Sequence, residues 1–222
     1  MRRARAGAAI LTISELRLSA TNLACERGGR LVFEGLSFTV AAGEALVLTG
    51  PNGSGKSSLL RQIAGLVEST PGSLRVEGGD PEMTLAEQAH YVGHLDALKP
   101  AMTVAETLHF WAAWFDNGVA GAAANVAVAL DGMSLASLAD LPAAYLSAGQ
   151  KRRLALARLL AAPRPLWLLD EPTVGLDAAS IMRLGRAMQA HLAAGGIIVA
   201  ATHLDLGLEA ANTLDLGMGL LP

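Results

Sequence analysis

Cysteine is nearly absent: Cys25 is the single one in 222 residues, so no disulfide can close within the chain. The five histidines, at positions 90, 94, 109, 191 and 203, are scattered, and none joins the cysteine at metal-ligand spacing. Long apolar runs are missing as well. None approaches the ~18 consecutive residues of a membrane-spanning helix, because Gly, Asn, Ser and Thr interrupt every uncharged stretch. Basic residues are not in surplus: 17 Lys+Arg stand against 20 Asp+Glu, a formal net charge of −3. Coating nucleic acid requires an excess of cations, so no nucleic-acid partner is expected. The basic Met1–Arg5 and apolar Gly7–Leu11 make only a faint leader, too short and run straight into charged residues; residues 1–10 read as an N-terminal extension.

What is present is a large apolar fraction, 52%, ample for one domain with its own core. Residues 31–49 read as strands, with Leu36, Phe38 and Val40 alternating with Ser37 and Thr39. Ala45–Leu48 form a second apolar run, glycines follow at 50, 53 and 55, and a helical pattern begins at Ser57. Further strand-like runs lie at Leu166–Leu169 and Gly196–Ala201, separated by helical stretches. That alternation predicts an α/β fold with a parallel sheet and ligands at the strand C-termini. Residues 95–160 are helical in flavour, and Thr103-Val-Ala-Glu106 has the capping-box spacing that starts a helix.

Three segments carry chemistry. Gly50, Pro51, Asn52, Gly53, Ser54, Gly55, Lys56, Ser57 and Ser58 match the phosphate-loop pattern G-x-x-x-x-G-K-[ST]. Its glycines let backbone N–H groups face phosphate oxygens, Lys56 reaches the β and γ phosphates, and the Ser57 hydroxyl ligates Mg²⁺. The apolar strand Leu166–Leu169 delivers two adjacent carboxylates: Asp170 suits a Mg²⁺ shell, and Glu171 a water attacking in line. Ser147, Ala148, Gly149 and Gln150 open another helical run, where a hydroxyl and first-turn amides are offered to an anion.

Taken in order, GPNGSGKSS, LSAGQ, LLDEP, Gly175-Leu176-Asp177 and Thr202-His203 resemble the five motifs of an ATP-binding cassette (ABC) ATPase, from about Leu11 to the end. The resemblance implies a phosphate-loop NTPase of ABC type: a mixed sheet core, an N-terminal antiparallel β-subdomain and a short helical subdomain at about 95–160, within one domain spanning 11–222. It also implies ATP and Mg²⁺ as cofactors and a head-to-tail homodimer, each nucleotide lying between one phosphate loop and the other subunit's Ser147, Ala148, Gly149 and Gln150. Glu171 would act on the attacking water, and His203 would contact the γ-phosphate.

Departures from the general cassette pattern narrow the resemblance. His94 stands where the lid glutamine is usual; it reads either as a partner of the metal–water shell or as a surface residue. The adenine-stacking aromatic is missing from Cys25–Arg30, which leaves Arg27 as a guanidinium stack. Ala148 replaces a commoner glycine. With Cys25-Glu-Arg-Gly28, Tyr91-Val-Gly-His94 and Asp96–Pro100, the chain resembles the haem-exporter ATPases of cytochrome c maturation. That branch implies a peripheral protein on the cytoplasmic face of a bacterial inner membrane. Its partners would be membrane-spanning ABC subunits, and hydrolysis would drive release of a haem-loaded periplasmic chaperone. An exporter ATPase with another cargo is the alternative. A DNA-repair or ribosomal cassette needs a coiled-coil insertion or a second cassette, and neither fits in 222 residues.

The remaining features have plainer readings. Val104, Leu108, Trp111 and Phe115, with Phe110 and Trp114 beside them, read as the core of the helical subdomain, or as the edge of a groove for a partner helix. Lys151-Arg152-Arg153 reads as a solvated first turn, and Cys25 as a small buried apolar residue. Lone histidines are poor evidence for axial ligation, so direct haem binding by His90, His94 or His109 is not expected.

Overall fold

A computed structural model describes residues 15–68, 72–115, 122–204, 206–208 and 211–217. The extension read at residues 1–10 lies outside them. Strands β1 (Arg17–Arg27) and β2 (Arg30–Ala41) form a hairpin whose central residues, Gly28 and Gly29, have φ of +58° and +76°. A turn with positive φ at both central positions matches the twist of such a tight hairpin, and glycine adopts that conformation without a Cβ clash. The turn places Arg27 opposite Arg30. On its other edge β1 pairs antiparallel with β4 (Ser73–Glu77), giving a three-stranded sheet.

The second sheet runs β5 (Ala89–Val92), β6 (Leu166–Asp170), β7 (Ile197–Ala201), β3 (Ala45–Thr49) and β8 (Ala211–Asp215), and each neighbouring pair is parallel. The two strand directions are thus segregated into separate sheets. β6 and β7 are buried along their whole length, as continuous apolar runs in a parallel sheet require. Their side chains alternate between two cores. Trp167, Leu169, Ile198 and Ala200 face the helical side, whereas Leu166, Leu168, Ile197 and Val199 face the core shared with the antiparallel sheet and α1 (Lys56–Ile63). Cys25 is buried in that second core.

Helices α2 (Val104–Phe115), α3 (Ala122–Gly132) and α4 (Ala148–Ala161) pack on one another, and α5 (Ala178–Ala193) leads into β7. The capping box at the start of α2 is formed: the Glu106 carboxylate accepts from the Thr103 amide at 2.8 Å, and the Thr103 hydroxyl accepts from the Glu106 amide at 3.1 Å. The stripe of α2 divides between the two readings, its aliphatic part in the core and its aromatic rings at the edge of a groove. Val104, Leu108 and Ala112 fill the core against Val126, Ala129 and Met133. Trp111 and Phe115 are half-buried beneath the guanidinium groups of Arg158 and Arg164, each 4.8 Å from a ring centroid, while Trp114 is 70% exposed.

Candidate functional site

The C-terminal end of the parallel sheet assembles the site. After β3 the chain enters the glycine loop, with Gly50, Gly53 and Gly55 at φ of +123°, +86° and +102°. Gly55 also meets β2: a Cβ there would stand 2.7 Å from Val32 Cγ1 and 2.8 Å from Phe33 Cδ1, so the loop is seated where only glycine fits. Helix α1 begins at Lys56, whose ammonium donates to the carbonyls of Gly50 at 2.7 Å and Pro51 at 3.0 Å and so points back into the loop. The Ser54 hydroxyl is buried with no protein partner. Asn52, Gly53, Gly55, Lys56, Ser57 and Ser58 line a cleft of about 430 Å³, together with Arg27, Val32, Asp170 and Glu171. That volume lies in the range of about 300–1,000 Å³ usual for small-molecule sites.

Strand β6 carries Asp170 to the cleft floor, where it is 3% exposed and accepts a hydrogen bond from Ser57 Oγ at 3.0 Å. A hydroxyl touching a carboxylate is a pair of hard oxygen donors, the kind Mg²⁺ takes, so the residues present fit that ion. The next residue, Glu171, has φ of +47°, a backbone cost for a residue with a Cβ. Its amide donates to the Ala201 carbonyl at 2.8 Å. His203 Nε2 lies 3.8 Å from Glu171 Oε1.

The structure therefore brings Arg27, the phosphate loop, Asp170 and Glu171 to one cleft, with His203 beside Glu171. It does not bring the signature segment there. Ser147 caps α4 in a reciprocal box: its hydroxyl accepts from the Gln150 amide at 3.2 Å, and Gln150 Oε1 accepts from the Ser147 amide at 2.7 Å. Ser147 and Ala148 are exposed, and Gly149 sits against the Gly175 carbonyl, which a Cβ would approach at 3.1 Å. Asp177 follows that contact and caps α5, accepting from the Ser180 amide at 2.8 Å; hydrogen bonding from the Ser180 side chain, then from its amide, holds the carboxyl below the usual carboxylate range. His94 is exposed and is not among the residues lining the cleft.

Sequence reasoning missed two residues here. Arg152, read as solvated, is 5% exposed. Its guanidinium donates to the carbonyls of Gly93 (2.7 Å), Asp170 (3.1 Å) and Glu171 (2.7 Å) and pairs with Asp96 at 3.4 Å. One buried cation therefore ties α4 to the segment before His94 and to the end of β6. The signal was present in the helix period, since Arg152 shares a face with the buried Ala155, Leu156 and Leu159. Arg153 is also engaged, donating to the Met133 and Ser134 carbonyls.

Tyr91 is the second. Its hydroxyl accepts from Arg61 Nε at 3.2 Å and lies 3.3 Å from Asp170 Oδ2, to which it donates. Burial, then the neighbouring Asp170 charge, pushes the phenol up, against the opposing effect of the Arg61 hydrogen bond, so it stays a donor. On its other side Tyr91 borders an apolar groove with Leu66, Ala86, Trp111 and Phe115. His90 closes the back of this groove, its Nε2–H donating to the Ala162 carbonyl; burial pushes that imidazole down to about 3.

A cleft with this loop, this acidic pair and this order of elements defines a nucleotide-hydrolysing subunit, and the comparisons agree. The ABC transporter family profile matches residues 33–174, so the chain belongs to the ABC transporter ATP-binding family. Among solved structures, one titled as an ATP-binding subunit of an ABC transporter superposes with a TM-score of 0.79 at 26% identity, over 90% of this chain and 86% of that one. A putative ABC transporter ATP-binding protein from Pyrococcus furiosus gives 0.75 at 22% identity over 89% and 97%, a likeness of fold.

Three curated relatives match almost the whole chain. The cytochrome c biogenesis ATP-binding export protein CcmA of Nitrobacter winogradskyi is 56% identical over 91% of this chain and 98% of its own. The proteins of that name from Rhodopseudomonas palustris BisB5 and Paramagnetospirillum magneticum are 53% and 54% identical, over 87% and 92% of this chain and 94% and 95% of theirs.

Proposed function

We propose that this chain is the ATP-hydrolysing subunit of a membrane ABC complex serving haem export and cytochrome c maturation. The observation that carries the ATPase reading is the convergence of Lys56, Ser57, Asp170 and Glu171 on one cleft beneath a glycine loop. The cytochrome c assignment comes from the relatives that match almost the whole chain.

The reaction is ATP + H₂O to ADP and phosphate. Lys56 turns from its loop carbonyls to the β and γ phosphates, and the loop amides and the N-terminus of α1 take the remaining oxygens. Ser57 and Asp170 would hold Mg²⁺, which when bound would offset the phosphate charge. Glu171 accepts a hydrogen bond from the attacking water and aims it in line with the γ-phosphate. His203, beside Glu171, contacts the γ-phosphate, and Arg27 stacks on the base. His94, exposed outside this cleft, would either partner the metal–water shell of the assembled site or serve as a surface residue.

Dimerisation completes the site. The signature lies away from its own cleft, so Ser147, Ala148, Gly149 and Gln150 serve the nucleotide of a second copy arranged head to tail. The protein sits peripherally on the cytoplasmic face of a bacterial inner membrane; no helix among the described residues is long and apolar enough to cross one. Membrane-spanning subunits dock a cytoplasmic helix in the apolar groove bordered by Trp111, Phe115 and Tyr91. The work of hydrolysis goes to releasing the haem-loaded periplasmic chaperone.

The test is Lys56→Ala in the source cell, with covalent haem stained in c-type cytochromes. Selective loss of the c-type signal, with b-type haem proteins intact, is the expected result. Normal c-type haem would remove the cytochrome assignment and favour an exporter with another cargo.

A further inference from the structure

We infer that Tyr91 is a positioning residue for the metal site: its hydroxyl fixes the Asp170 carboxylate in the orientation that receives the divalent cation. The inference rests on the reading of Asp170 as a metal carboxylate. Asp170 is buried, and its two oxygens have different partners. Oδ1 takes the Ser57 hydroxyl at 3.0 Å, and Oδ2 takes the Tyr91 hydroxyl at 3.3 Å. A carboxylate held at one oxygen can still swing about its Cβ–Cγ bond; held at both, it cannot. Arg61 Nε, donating to the same hydroxyl at 3.2 Å, leaves the Tyr91 proton to point at Asp170. Hydrogen bonds from outside the ligand set commonly orient metal-binding carboxylates in this way.

Gly93 gives an independent reason to see this placement as built. The tyrosine ring folds back along its own strand end, so a Cβ at position 93 would meet Tyr91 Oη at 3.1 Å, Cε1 at 3.2 Å and Cζ at 3.3 Å. Gly93 has none of the positive-φ strain that would otherwise call for glycine. The space that Tyr91 needs in order to reach Asp170 accounts for it.

The experiment uses Mn²⁺ as the probe, with the free ion read by electron paramagnetic resonance in the presence of ATP. ATP affinity in EDTA and thermal denaturation are measured alongside. Tyr91→Phe keeps the ring and removes only the hydroxyl. It should weaken Mn²⁺ roughly tenfold while leaving metal-free ATP affinity and the unfolding temperature close to wild type. Gly93→Ala should weaken Mn²⁺ in the Tyr91 background and add nothing in the Tyr91→Phe background. Asp170→Asn separates the two ideas. If it abolishes Mn²⁺ binding while Tyr91→Phe leaves it unchanged, the positioning role is overturned and the metal site stands. If Asp170→Asn has no effect on Mn²⁺, the metal-site reading itself falls. Equal losses of metal-free ATP affinity and of Mn²⁺ affinity in Tyr91→Phe would mark a structural role only and overturn the proposal.

Discussion

Replacing Arg152 by methionine leaves the volume of the side chain largely in place and removes its charge and its fork of donors. Three carbonyls, of Gly93, Asp170 and Glu171, then lose a partner, the Asp170 one fully buried and the other two partly so, and Asp96 loses its cation. Breaking one side of a buried, hydrogen-bonded charge pair costs about 3–5 kcal/mol, against a total stability of about 5–15 kcal/mol. For a chain of this size each kcal/mol moves the unfolding temperature by about 2–4 °C. The expected fall is therefore about 6–20 °C, followed by circular dichroism in the absence of nucleotide. The neighbouring Arg153→Met is the control. That guanidinium also donates to two carbonyls, at 3.1 and 3.0 Å, but at the solvent edge, so its loss should cost no more than about 1.5 kcal/mol. If the two variants melt within a degree or two of each other, Arg152 is not the strap described. ATP hydrolysis should suffer more than ATP binding in Arg152→Met, because the released carbonyls belong to Asp170 and Glu171 while the phosphate loop is untouched.

Three further outcomes follow from the same geometry. Burial pushes His90 down to about 3 and His191, stacked 4.0 Å from Trp167, down to about 4, so both imidazoles are neutral in the fold. The unfolded chain takes up these protons from about pH 6.5 downward and the folded chain does not. Stability is thus full above pH 7 and falls toward pH 4, by about 1.4 kcal/mol per pH unit for each histidine. Urea titrations at pH 7.5 and 5.0 should show this, with a shallower pH dependence in His90→Gln; equal slopes in the two proteins would refute it. Glu171→Gln should bind ATP at near wild-type affinity and lose hydrolysis by several orders of magnitude, so wild-type turnover would give the water to another group. Arg27→Ala should weaken ATP more than inorganic triphosphate, about tenfold for a stacked guanidinium worth ~1–2 kcal/mol, and equal losses would remove Arg27 from the base.

What could be read from the chain was written in short segments. The phosphate loop, the Thr103 capping box, the helix start at Ser147 and the acidic end of β6 each depend on residues a few positions apart, and each is where the pattern placed it. What could not be read depends on distant segments meeting. Arg152 looked like a solvated basic turn because its acceptors, at Gly93, Asp170 and Glu171, belong to other elements. Tyr91 and Asp170 become neighbours only because β5 and β6 pair in parallel. The aromatic rings of α2 carry a helical period that fits a core as well as a groove. Tertiary packing decides between them: Val104, Leu108 and Ala112 enter the core, while the rings lie outside it.

The outward-facing signature has a consequence for when ATP is spent. On the proposed head-to-tail pairing, a lone chain holds only half of each reaction centre, so turnover in dilute solution rises with the square of protein concentration. Anchoring two copies to one membrane assembly replaces that bimolecular encounter with an intramolecular one, at an effective concentration in the millimolar range for short tethers (~mM). On that pairing the exposed helix start at Ser147 would act as a proximity gate: subunits adrift from such an assembly would idle, and fuel would be consumed where there is something to move.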